Sequence, residues 1–173
     1  MTTTAAEALL RDTGAAEIPH PGGTLFAHLR RVRDLLASWG AAEDVRLAGL
    51  CHATYGTDGF ATALLEPTER HRLVAAVGAP AEALVYLYGS CQRAGVYRHL
   101  DRPTITFTDR FTGATTVPGE SALRAFAEIT AANELDVIRH NAEIAAEHGT
   151  ALRQLMHRAE RHLSPAAIAA WKE

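Results

Sequence analysis

Apolar residues recur at intervals of three and four along most of the chain, in Ala-rich and Leu-rich stretches punctuated by single Gly or Pro residues. That spacing predicts a mostly helical fold. A short helix is expected from Thr4 to Arg11, stopping near Gly14. The next is better marked: Thr24 is placed to cap it, Leu25, Leu29, Val32, Leu36 and Trp39 form one stripe, and Gly40 closes it. A third runs from about Ala42 to Thr54 with Val45, Ala48, Gly49 and His52 on one face, before Tyr55-Gly56-Thr57 breaks it. Pro67 and Pro80 are placed to open two more, the second carrying Ala83, Leu84, Leu87, Tyr88 and Cys91.

The period changes at Thr104-Ile105-Thr106-Phe107-Thr108, which alternates polar and apolar, and the β-prone composition resumes over Ala114 to Val117. With turn residues from Asp109 to Gly113 between them, this stretch predicts a small exposed hairpin beside the mouth of a pocket, inserted in a helical fold. Helical spacing returns from Ser121 to about His148, predicting one long helix ended by Gly149. Asn133, Asp136 and His140 lie three and four apart and line one side of it. Ser164-Pro165 begins a short terminal helix. The fold class expected is all-α, a helical bundle with one β-hairpin insertion.

Composition narrows this picture. At 173 residues, with 47% hydrophobic and 21% charged residues, one domain over residues 1–173 is expected and a disordered chain is excluded. A net charge of −3 gives no nucleic-acid footprint. No apolar run approaches the ~18–20 residues of a membrane span, and the first residues carry no secretory pattern, so no membrane partner and a cytoplasmic location are expected. Cys51 and Cys91 lack paired spacing and read as reduced core residues.

Two histidines fall on buried stripes, His28 between Leu25 and Val32, and His52 three residues after Gly49. One such histidine is ordinarily a hydrogen-bonded core residue. Two on consecutive antiparallel helices also fit a shared pocket. Tyr55 and Thr57 supply hydroxyls where the chain leaves the His52 helix, although Gly56 alone reads as a helix cap. His20-Pro21-Gly22-Gly23-Thr24 sets a glycine-containing loop at a helix N-terminus, where backbone N–H groups can receive an anion. Arg93, near Arg98, Arg102 and Arg110, can hold a phosphate or carboxylate or stand solvated. Ser90 and Cys91 have no histidine at a motif-like spacing, so nucleophilic catalysis has no support.

The order of a helix with His28, a short loop, a helix ending Ala48-Gly49-Leu50-Cys51-His52-Ala53-Thr54, and a later helix with Ala131-Ala132-Asn133 resembles the HD-domain superfamily of metal-dependent phosphohydrolases. The likeness runs roughly from His20 to Asn141 and is closest to the hydrolase domain of the stringent-response (p)ppGpp hydrolases. Val77-Gly78-Ala79-Pro80-Ala81-Glu82-Ala83-Leu84-Val85 resembles a helix junction of those enzymes. His52-Ala53-Thr54-Tyr55-Gly56-Thr57 also resembles a small uncharacterised HD-like family with a His-x-x-Tyr-Gly-Thr segment. The resemblance implies that His28 and His52 correspond to the family's metal-binding histidines. Ala53 stands where the family has the paired aspartate, Asn133 where it has the last aspartate, and Gly56 and Thr57 where it has an acidic pair. Two imidazoles and an amide carry no negative charge to offset the dehydration of a cation, so ordinary metal-dependent phosphohydrolysis is not expected. A register shift of Asp136 toward His28 and His52 would give two histidines and a carboxylate, enough for Zn, Fe or Mn. The other reading makes Asp136 and His140 a surface i,i+4 pair.

The expectation is therefore a divergent HD-like enzyme acting on a small polar or phosphorylated metabolite between the His28 and His52 helices. The alternative is a catalytically silent HD-like module that binds a small molecule or a protein. The candidate catalytic residues are His28, His52 and Tyr55. The candidate ligand contacts are His20, Thr57, Asn133 and Arg93, and the candidate metal ligands are His28, His52 and Asp136.

Overall fold

Thr2 is the first residue of the described part of the chain, residues 2–172 of this computed structural model, and its hydroxyl accepts from Ala5 N–H to cap helix α1 (Thr3–Asp12). A tight antiparallel pair follows, β1 (Pro19–His20) and β2 (Gly23–Thr24). Gly22 and Gly23 turn it with φ of 77° and 127°, a region open to glycine. This is a second tiny sheet where the sequence reading placed only a loop, and it lifts His20 beside the start of α2 (Leu25–Ser38). Thr24 caps α2 as expected, accepting from Ala27 N–H at 3.2 Å, and Leu25, Leu29, Val32 and Leu36 are all fully buried.

Helix α3 (Glu43–Cys51) packs along α2. Gly49 faces Leu36 there, and a Cβ at this position would overlap the Leu36 side chain, so the close approach depends on glycine. The chain continues through a 3₁₀ turn (Pro67–Glu69), α4 (Arg70–Val77) and α5 (Ala79–Ser90), the two helices the prolines announce. A five-residue helix α6 (Arg93–Tyr97), not foreseen from the sequence, precedes strands β3 (Phe107–Thr108) and β4 (Thr115–Thr116). The last elements are α7 (Glu120–His140), α8 (Ala142–Ala159), a 3₁₀ turn (Glu160–His162) and α9 (Pro165–Ala170). The architecture is all-α with two two-stranded pairs. Helix α7 lies at its centre against α2, α3, α5 and α8.

Two expectations are corrected. The helical stretch from Ser121 is not one helix to Gly149: the chain leaves α7 at Asn141, whose φ of −143° and ψ of 104° are extended. The Asn141 side chain accepts from Ile144 N–H at 3.0 Å and starts α8, and Gly149 lies inside that helix. A side-chain oxygen that satisfies a helix N-terminus competes with continuing the previous helix, a signal the apolar period does not carry. The hairpin is also less peripheral than its composition suggests. Only Phe107↔Thr116 and Thr108↔Thr115 pair, and Phe107 is buried edge-on against Phe126 at 4.8 Å. Its neighbouring cavity is formed with Arg70, Tyr86 and Cys91 and does not include the histidines. Among the described residues no helix is long and apolar enough to cross a membrane.

Candidate functional site

The two stripe histidines meet. The rings of His28 on α2 and His52, at the C-terminal end of α3, stand edge to face with centroids 5.3 Å apart. His20 from the β1–β2 turn lies over His28 at 4.2 Å. From α7, Asn133 Oδ1 lies 3.1 Å from His28 Nε2, and Asp136 Oδ2 accepts from His28 Nδ1–H at 2.6 Å. Asn133 is oriented by its own amide, which donates to Glu134 Oε1 at 3.1 Å.

The i,i+4 contact of Asp136 with His140 forms, with 3.2 Å between Oδ1 and Nδ1, but Asp136 is buried and the pair is not a surface one. Besides His28, Asp136 accepts from Arg31 Nε at 2.7 Å and Nη2 at 3.0 Å. Arg31 in turn donates to the carbonyls of Pro21 and Gly22, so this carboxylate ties α2, α7 and the β1–β2 turn together. Burial acts to raise the Asp136 pKa, but the bonds from His28 and Arg31 prevail and hold it at about 2. The expected metal set is not assembled. Both nitrogens of His28 are engaged by α7, Arg31 occupies the Asp136 oxygens, and His52 Nδ1 is engaged by the Gly49 carbonyl at 2.8 Å. Among the described residues no group of three or more His, Cys, Asp or Glu side chains is placed to hold a metal ion.

Beside this cluster is a cavity of about 370 Å³, within the range of small-molecule sites. His20, His52, Thr57, Arg93, Asn133 and Glu134 supply its polar lining, and Leu25, Phe60, Val137 and Ile144 its apolar wall. Four of the expected ligand contacts, His20, Thr57, Asn133 and Arg93, therefore share one cavity, together with His52. His28 does not line it; it lies beneath His20 as a positioning residue.

His20 and His52 are neutral at ordinary pH. Burial and the neighbouring His28 push His52 down to about 3 and His20 down to about 4. Because Nδ1–H of neutral His52 donates to Gly49, Nε2 carries its lone pair and has no donor among the described residues. The Arg93 side chain is only 13% exposed, with its guanidinium 4.9 Å above the Tyr88 ring and 3.8 Å from Glu134. None of its side-chain N–H groups has a hydrogen-bond acceptor among the described residues. Burial raises the Glu134 pKa against the opposing pull of Arg93 and Asn133.

Tyr55 is the expected catalytic residue that the fold takes elsewhere. Its hydroxyl donates to Glu82 Oε1 at 2.8 Å, and Arg70 makes two 2.7 Å bonds to the same carboxylate. This buried knot joins the α3 exit to α4 and α5. Tyr55→Phe is expected to lose about 1 kcal/mol in urea unfolding without changing ligand response, since the Arg70 bonds to Glu82 survive. Cys51 and Cys91 are buried free thiols that burial pushes up to about 12, which leaves them protonated at ordinary pH.

Glu134 is the cavity residue that sequence reading missed. A charged residue next to Asn133 reads as solvent-facing, and its adjacency to Asn133 was the one available signal. No curated protein and no solved structure matches the chain. Residues 9–93, from α1 to the first turn of α6, are similar to a domain of unknown function (DUF6817), a stretch that contains His20, His28, His52 and Arg93 but none of the α7 residues.

Proposed function

We propose that the chain is a divergent HD-like cytoplasmic domain that binds a small polar metabolite in the cavity between His52, Arg93 and α7, with an anionic group of the ligand on Arg93. The observation that carries this reading is the nearly buried Arg93 guanidinium on the cavity wall, ion-paired to Glu134 at 3.8 Å but with its buried Nε lacking a hydrogen-bond acceptor. A buried donor left without a hydrogen bond costs about 1–3 kcal/mol, and a carboxylate or phosphate can satisfy a guanidinium through two parallel bonds. His20, His52 and Asn133 add neutral donors and acceptors that orient the rest of the ligand. Arg93→Gln, checked for an unchanged circular dichroism spectrum, is to be screened beside wild type by thermal shift against carboxylate- and phosphate-bearing metabolites. At least one compound should stabilise wild type and bind the variant about 10–100-fold more weakly. Equal responses of the two proteins, or none from wild type, would overturn the reading.

A second reading, a divergent enzyme, is favoured by one feature of His52. Its tautomer is fixed by Gly49, so Nε2 can accept a proton from a bound hydroxyl or amine. A ring held at about 3 is a weak base in the empty cavity, so this role requires the ligand's negative charge to raise it. Turnover of a bound compound that His52→Gln abolishes while binding persists would establish this reading, and unchanged turnover in that variant would remove it.

A further inference from the structure

Resting on the ligand-binding reading above, we propose that the cavity recognises the zwitterionic head of a small α-amino acid with an apolar side chain, its carboxylate on Arg93 and its ammonium on Glu134. The two side chains present opposite charges 3.8 Å apart on one wall, and neither is fully used within the protein. Arg93 has no hydrogen-bond acceptor. Glu134 accepts one amide N–H from Asn133, which leaves most of the lone-pair sites of its carboxylate available. A carboxylate and an ammonium joined through one carbon have the same close opposition of charge, so each end meets its complement.

Charge balance selects this class over the simpler ones. A phosphate or plain carboxylate on Arg93 would bring a second negative charge against Glu134. A plain amine on Glu134 would face Arg93. Little water screens the pair, so the uncompensated neighbour is costly, whereas a zwitterion adds no net charge. Neutral His52 and His20 add no charge to upset that balance. Leu25, Phe60, Val137 and Ile144 supply apolar lining to the same cavity, which suits a hydrocarbon side chain.

The test uses three probes of one shape, L-leucine, 4-methylpentanoate and 3-methylbutylamine, titrated into the full chain by calorimetry and thermal shift. Wild type should bind leucine about 10-fold or more tightly than either relative, the penalty of leaving one cavity charge uncompensated. Glu134→Gln should lose most of the leucine advantage and retain or improve binding of 4-methylpentanoate. Should that variant fail to fold, the wild-type comparison decides alone. Binding of 4-methylpentanoate as tight as leucine would overturn the zwitterion inference while leaving the cavity as an anion site on Arg93. If no probe binds and the Arg93→Gln screen is also silent, both readings fall.

Discussion

Asp136→Ala is expected to destabilise the protein by about 3–5 kcal/mol, the range for removing one member of a buried ion pair. Asp136 is 2% exposed and receives His28 Nδ1–H and two N–H groups of Arg31. Truncation leaves a buried imidazole without its acceptor and releases the guanidinium that holds the Pro21 and Gly22 carbonyls. The β1–β2 turn should loosen with it, so His20 is displaced from the cavity even where the helices survive. Urea unfolding of wild type, Asp136→Ala and Asp136→Asn checks this. The amide variant keeps the shape and part of the bonding and should lose less. A loss under about 1 kcal/mol for the alanine variant would mean that Arg31 and His28 find other partners and that this carboxylate does not organise the site.

Acid should weaken the fold well before its carboxylates titrate. His52 is neutral in the folded protein with a pKa of about 3, against 6.5 for the unexposed-to-partners reference. Below pH 6.5 the unfolded chain therefore takes up a proton that the folded chain refuses. The unfolded state binds more protons between about 3 and 6.5, so stability rises with pH across that window and is flat above it. The slope from His52 alone is on the order of 1 kcal/mol per pH unit. His20, lowered to about 4, and His162, lowered by burial, act in the same direction. Glu134, raised by burial, acts oppositely around and above its ordinary 4.5, and Asp136 adds its own loss only as pH falls toward 2. Chemical unfolding at pH 7, 6 and 5 should show a progressive loss that His52→Gln reduces. Equal stability at all three values, or an unchanged slope in the variant, would contradict a neutral buried His52. An anion or zwitterion in the cavity would shift the curve by binding the folded state.

The helical class, the α2 stripe, its Thr24 cap and the burial of His28 and His52 were all legible in the sequence. Each is a local matter: an apolar residue every third or fourth position fixes which face is covered, and a hydroxyl before the stripe satisfies the orphan N–H groups. The same logic fails at Asn141, where polar side-chain chemistry rather than period breaks the helix, and at Phe107, whose burial depends on Phe126 nineteen positions further along.

Partner choice was decided only by tertiary structure. Periodicity states that Asp136 lies on one side of α7, but its two readings, metal ligand or surface pair, were separated by how α7 crosses α2, which joins His28 and Asp136 across 108 positions of sequence. Tyr55 sits three residues after His52 and was grouped with it, yet the turn after α3 sends its hydroxyl to Glu82 and away from the cavity. Arg93 was open to two readings, ligand contact or solvated charge, and Glu134 was not singled out, because a charged side chain carries no mark of burial in its own neighbourhood. Their meeting on one cavity wall follows from the fold bringing the first residue of α6 to Glu134 of α7, and that non-local juxtaposition sets the charges a ligand must answer. The sequence by itself determined which faces are covered. The tertiary structure decided which buried polar groups satisfy one another and which are left for a ligand, because hydrogen bonds and ion pairs depend on ångström-scale separations between elements that no local pattern encodes.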